Sequence, residues 1–133
     1  MVTFREAVEA RDTDALESLL ADNVVFRSPV VFSAYEGKPI TAAILRAVIE
    51  VFEGFHYVRE IGDPQARDHA LVFEATVDGY QLTGCDFLHY DEHGKIDDFM
   101  VMVRPRKGME ALAAAMSARF EDIKADAIAR STR

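Results

Sequence analysis

The sequence predicts an α+β domain in which a curved antiparallel sheet wraps around one long helix. The helix is the clearest element: Pro39 suits a first turn, apolar residues follow at helical spacing through Val51, and Gly54 provides a stop. Strand-like stretches come after it, separated by short polar turns, at about 55–62, 69–78, 81–91 and 95–104. Because consecutive strands are joined by short turns, we expect an antiparallel meander.

Further elements precede the long helix and close the chain. Apolar residues recur at helical spacing over about 2–11 and 14–20. The stretch from Val24 to Ser28 is β-branched and aromatic, and the proline after it suits a strand end. An alanine-rich segment at about 108–130 returns to helical spacing. The predicted order is therefore ααβαββββα.

Composition and charge exclude several classes of protein. The 133 residues carry 15 Lys and Arg against 23 Asp and Glu, a formal net charge of −8. We expect no nucleic-acid partner, because such proteins need a basic surface that neutralises phosphates. No apolar run approaches the roughly 18 residues that cross a membrane, and the first residues lack the apolar core of a secretory signal. We expect one cytoplasmic domain over residues 1–133, because no linker or break in composition divides it.

Alternation along the strands indicates which side chains face the long helix. In the second strand of the meander, Leu71, Phe73, Ala75 and Val77 share one phase and polar residues fill the other. The last strand places apolar residues in both phases, which suggests that each of its faces is covered. We take Ser28, Phe73, Leu88, Phe99, Val101 and Val103 as candidate ligand-binding residues.

Asp86 is the strongest local signal. It stands in mid-strand in the sequence Cys85-Asp86-Phe87-Leu88, where aspartate is disfavoured. If its side chain points inward, loss of solvation raises its pKa and the group can act as a hydrogen-bond donor or general acid. If it points outward, it is an ordinary surface carboxylate or part of a subunit interface. Periodicity does not decide its orientation.

Other polar side chains are weaker candidates. His56 directly follows the long helix and could serve as a base at a pocket mouth, and Tyr35 precedes that helix. A structural or surface histidine is the alternative for His56. His89 and His93 flank Asp91, but no third ligand is visible, so we expect no metal site and no cofactor.

The order of elements, with the sequences Leu20-Ala21-Asp22-Asn23-Val24, Tyr35-Glu36-Gly37-Lys38 and the stretch from Cys85 to Ile96, resembles the NTF2-like superfamily. Within it, the chain is similar to the SnoaL-like proteins and ketosteroid isomerases, over roughly residues 2–104. The resemblance implies a cone-shaped, cystatin-like fold that encloses an apolar pocket, and a homodimer. Function must still be argued from the site.

The family's catalytic residues are only partly present. Asp86 falls where the resemblance implies a protonated aspartate. Ser28 stands at the position of the base aspartate and Phe4 at that of a tyrosine donor. Val101 stands where SnoaL-like cyclases and related epoxide hydrolases carry an aspartate, and Gly84 where the hydrolases carry an arginine. The catalytic residues of ketosteroid isomerases, of SnoaL-like cyclases and of the related epoxide hydrolases are therefore each incomplete in this chain.

Two functions remain open from the sequence. In the first, the chain binds a hydrophobic small molecule and catalyses a proton transfer, such as isomerisation, cyclisation or dehydration, through Asp86 with His56 or Tyr35 as partner. In the second, it is a carrier or dimerisation module without catalysis. Positions 4, 28 and 101 lack the catalytic residues of the family, which favours a carrier or dimerisation module.

Overall fold

A computed structural model describes residues 2–132 of the chain. These residues form five helices: α1 (Phe4–Glu9), α2 (Thr13–Leu19), α3 (Lys38–Val51), α4 (Arg106–Ala118) and α5 (Phe120–Ser131). They also form six strands: β1 (Leu20–Arg27), β2 (Tyr35–Glu36), β3 (Glu53–Ile61), β4 (Asp68–Val77), β5 (Tyr80–Tyr90) and β6 (Ile96–Arg104). The α+β class and the order of the predicted elements are confirmed.

The strands form one curved, open sheet in the order β2-β1-β6-β5-β4-β3. Strands β3 to β6 are the predicted antiparallel meander. The sheet is not antiparallel throughout, because β1 pairs with β6 in parallel, with Phe26 opposite Phe99. A parallel neighbour requires a long crossover, which here contains α3 and the first three strands of the meander.

Three local features differ from the prediction. Strand β1 begins at Leu20, where pairing with Ile96 extends it beyond the β-branched core that the sequence marks. Strand β2 was not predicted, because two residues paired to β1 leave no periodicity to detect. The predicted helix over 108–130 is two helices, since the backbone leaves helical geometry at Arg119. This break lets α5 turn back against α3.

The core lies between the concave face of the sheet and the helices. Leu71, Phe73, Ala75 and Val77 of β4 are all buried, as their alternation predicted. Helix α3 buries the run from Thr41 to Leu45 and packs mainly against α5 and β1. Phe4 of α1 packs edge-on against Phe99 of β6, with ring centroids 5.4 Å apart. The sheet and helices thus form one core cluster.

In the part of the chain that the structure describes, we find no helix with the length and apolar character that crossing a membrane requires.

Candidate functional site

A cavity of about 670 Å³ lies between the inner face of the sheet and the helices. Strands β3 to β6 form its floor, and α1, α3, α4 and α5 contribute to its walls. Its lining is mainly apolar, with Phe52, Phe55 and Phe73 in mutual contact at centroid distances between 4.8 and 5.4 Å. A concave apolar cavity with few polar groups is the usual form of a small-molecule site.

Asp86 points into this cavity. Its neighbours in the same phase of β5, Gly84 and Leu88, are also buried, and Asp86 is only 7% exposed. Burial disfavours the charged form and raises the pKa of the carboxyl group from 3.8 to about 7, while a hydrogen bond from Tyr57 acts in the opposite direction. Near neutral pH, Asp86 is therefore present in both its protonated and ionised forms.

Tyr57 is the hydrogen-bonding partner of Asp86. Its hydroxyl donates to Oδ2 of Asp86 at 3.1 Å, and its ring is buried. Burial and the adjacent carboxylate raise the pKa of the Tyr57 hydroxyl, so it stays protonated and acts as a donor. The Arg5 guanidinium carbon lies 5.6 Å from the centroid of the same ring. Tyr57 is not among the site residues predicted from the sequence, although its alternation with Phe55 was a usable signal.

The structure does not place His56 in the cavity. Residues Phe55 and Tyr57 face inward, so His56 between them points to the outer face, where its side chain is 60% exposed. Its Nε2 lies 3.2 Å from Oε1 of Glu74, and Nδ1 lies 2.9 Å from the carbonyl oxygen of Gly54. His56 is therefore not the partner of Asp86 that the sequence suggested.

Tyr35 and Ser28 do line the cavity, on the side of β1 and β2. The Ser28 hydroxyl oxygen accepts hydrogen bonds from the amides of Val30 and Val31, at 3.1 and 3.0 Å. It therefore shapes the loop that follows β1. Tyr35 is half-buried, and its ring lies 6.4 Å from that of Phe26. Neither residue is hydrogen-bonded to Asp86 among residues 2–132.

The predicted apolar residues divide into two groups. Phe73, Phe99 and Val101 line the cavity. Leu88 and Val103 do not: Leu88 is completely packed in the core, and Val103 packs against the core outside the cavity. Alternation identifies the inward face of a strand, but only tertiary packing decides where along that face the helices leave space.

Gly84 and Phe73 determine the shape of the cavity floor beside Asp86. The two residues face each other across β4 and β5, and a Cβ atom built at Gly84 would lie 2.2 Å from Cζ of Phe73. The phenyl ring thus occupies the space that any side chain at position 84 would need. The arginine that the resemblance to epoxide hydrolases implies at this position would therefore not fit here.

The histidines of the β5–β6 hairpin have separate partners. His89 Nδ1 lies 2.6 Å from Oδ1 of Asp97, and His93 Nε2 lies 3.5 Å from Oε1 of Glu92. No cluster of three or more metal-ligating side chains is found among residues 2–132.

The fold and cavity define a class of protein, the NTF2-like domains with a curved sheet closed by helices. The sequence model of the SnoaL-like domain family matches residues 2–99, and the chain belongs to this family. Helices α4 and α5, which complete the cavity, lie outside the matched range.

Several solved structures are similar to the chain. A steroid delta-isomerase from Pseudomonas aeruginosa is 39% identical, with 90% of this chain and 87% of that chain covered and a TM-score of 0.83. An uncharacterised bacterial protein with a cystatin-like fold from Silicibacter pomeroyi is 36% identical, with 87% and 81% covered and a TM-score of 0.82. An NTF2-like protein of unknown function from Mesorhizobium loti, 17% identical with 77% and 85% covered and a TM-score of 0.67, shows the shared fold alone. No protein of curated function matches the sequence.

Proposed function

We propose that the chain binds an apolar small molecule with a carbonyl group and that Asp86 exchanges a proton with this ligand. The observation that supports the proposal is the hydrogen-bonded pair of Asp86 and Tyr57 within an otherwise mainly apolar cavity. Similarity to a steroid delta-isomerase makes ketosteroids the first ligands to test.

The two forms of Asp86 suit proton transfer. Tyr57 donates to Oδ2 and leaves Oδ1 of Asp86 without a bond from this hydroxyl. When protonated, the carboxyl group can donate a hydrogen bond to a carbonyl oxygen of the ligand. When ionised, it can accept a proton. A general acid or base works best with a pKa near the operating pH, and the pKa of Asp86 is about 7.

A second candidate is a non-catalytic carrier of the same class of ligand. It is favoured by Ser28 and Phe4, which occupy the positions where the resemblance implies a base aspartate and a tyrosine. Phe4 lies in the cavity lining but has no group that can transfer a proton. In this case Asp86 and Tyr57 would only anchor the ligand.

One experiment separates these functions. A β,γ-unsaturated ketosteroid is titrated calorimetrically, and its α-hydrogen exchange in D₂O and conversion to the conjugated ketone are followed by NMR. Asp86→Asn keeps a hydrogen-bond donor but has no group that can take up and release a proton near neutral pH. We therefore expect similar ligand affinity and an α-hydrogen exchange rate lower by roughly a hundredfold. Asp86→Leu removes the donor, and affinity should fall about tenfold.

His56→Gln is the matched control, because His56 is exposed on the opposite face of the sheet and should change neither quantity. Full exchange in the Asp86→Asn protein would refute the catalytic proposal. Tight binding without any exchange in the unmodified protein would establish the carrier instead.

A further inference from the structure

Arg11 has an unusual backbone conformation directly after α1. Its φ angle is +55°, in the left-handed region. The Arg11 amide donates to the carbonyl of Val8, and the Asp12 amide to that of Ala7, which is the helix-ending arrangement that normally places glycine at this position. A residue with a Cβ atom is strained there, and strained residues concentrate at ligand-binding sites. Position 11 therefore retains a side chain where glycine would fit the backbone better.

The Arg11 side chain is only partly used within the protein. Its Nη2 donates to the carbonyl oxygen of Ile49, near the end of α3, at 2.9 Å. This bond uses one N–H group, and a neutral donor such as glutamine could supply it. Among residues 2–132, no carboxylate lies within ion-pairing distance of Arg11. The nearby carboxylate of Glu9 is paired with Arg5 instead, at 3.4 Å.

Arg11 also lies where the cavity meets solvent. It is exposed, and it is the single Lys or Arg among the described residues that line the cavity. The chain as a whole carries a net charge of −8, so an anionic ligand needs a local cation to enter. The free edge of a guanidinium matches the two oxygens of a carboxylate.

From this geometry we propose that Arg11 binds a carboxylate of the ligand at the cavity mouth. The ligand is then an apolar carbonyl compound that also carries a carboxylate, with the carbonyl at Asp86 and Tyr57. The inference rests on the proposed function, because both contacts concern one ligand in one cavity.

The test uses a mono-keto bile acid and its methyl ester, which differ in the negative charge and in one methyl group. Affinities are measured by calorimetry for the unmodified protein and for Arg11→Gln, which keeps an N–H donor at this position but removes the charge. We expect the unmodified protein to prefer the acid by about tenfold. In Arg11→Gln the acid should bind as weakly as the ester, with the affinity for the ester unchanged.

Two controls keep the outcomes apart. Arg67→Gln removes the same charge outside the cavity lining and should leave the preference for the acid intact. Asp86→Leu should weaken acid and ester equally, because it acts at the carbonyl contact. Equal affinity for acid and ester in the unmodified protein, or a preference that persists in Arg11→Gln, overturns the role of Arg11. Unchanged affinities in Asp86→Leu overturn the proposed function, and the ratio of acid to ester affinity still tests the role of Arg11. If neither the acid nor the ester binds, the proposed function and the role of Arg11 are both overturned.

Discussion

The hydroxyl of Tyr57 on β3 reaches across β4 to Oδ2 of Asp86 on β5, at 3.1 Å. This reach is possible because the Phe73 ring, on the strand between them, lies against Gly84 and not against a larger side chain. The pair connects two strands that are not neighbours, and it gives the floor of the cavity its polar group.

Protein stability should depend on pH through Asp86. Because the pKa of Asp86 is raised to about 7 in the folded protein from 3.8, the folded state holds a proton that the unfolded state has lost between these values. The stability that this proton contributes is complete below about pH 4 and is lost as the pH rises through about 7. The free energy of unfolding should change by a value on the order of 4 kcal/mol over this range. Thermal unfolding between pH 4 and 8 measures this. Asp86→Asn should lack this part of the pH dependence, and an identical profile in both proteins would contradict the prediction.

Removal of the Tyr57 hydroxyl should raise the pKa of Asp86 further. The hydrogen bond from Tyr57 stabilises the ionised carboxylate, so Tyr57→Phe removes the influence that lowers this pKa. Carbon-detected NMR of the Asp86 carboxyl group gives the titration midpoint in each protein. A midpoint that stays the same or moves down would show that the hydrogen bond does not act on the ionised form.

A methyl group at position 84 should disturb the cavity. In Gly84→Ala the new Cβ would meet the Phe73 ring, which must tilt away from β5 into the cavity. We expect a loss of about 1–3 kcal/mol in the free energy of unfolding, together with weaker ligand binding. Phe73→Leu combined with Gly84→Ala should recover part of the stability. Additive effects of the two substitutions in denaturant titrations would argue against this contact.

Arg130 should hold α5 against the rest of the domain. Its side chain is 2% exposed and pairs with Glu17 of α2 and Asp126 of α5. Glu17→Gln leaves a buried guanidinium with one carboxylate, which should cost about 3 kcal/mol of stability. Hydrogen exchange should then be faster in α5. The control is Asp14→Asn, which changes an exposed carboxylate of α2 and should leave hydrogen exchange in α5 slow.

The outer face of the sheet is where we propose that two copies of the chain associate. Val58, Phe87 and Met102 are exposed there, and Cys85 is paired with Val72 and Met102 in the neighbouring strands. Sedimentation at micromolar concentration should therefore show a dimer, and Met102→Glu should shift it toward monomer. Ile128→Glu adds the same charge at an exposed apolar residue of α5 and should have no effect. A monomeric unmodified protein would refute the proposal.

Local periodicity and turn residues were enough to predict the long helix, the meander, the inward face of β4 and the order of the predicted elements. The sequence also singled out Asp86, whose residue type conflicts with its mid-strand position. Packing between distant segments decided the rest: the parallel pairing of β1 with β6, the break at Arg119 and the inward orientation of Asp86. It also selected Tyr57 over the adjacent His56 as the partner of Asp86, since in a strand a shift of one residue moves a side chain to the opposite face. No local pattern in the sequence reports which residues from separate strands will share one cavity.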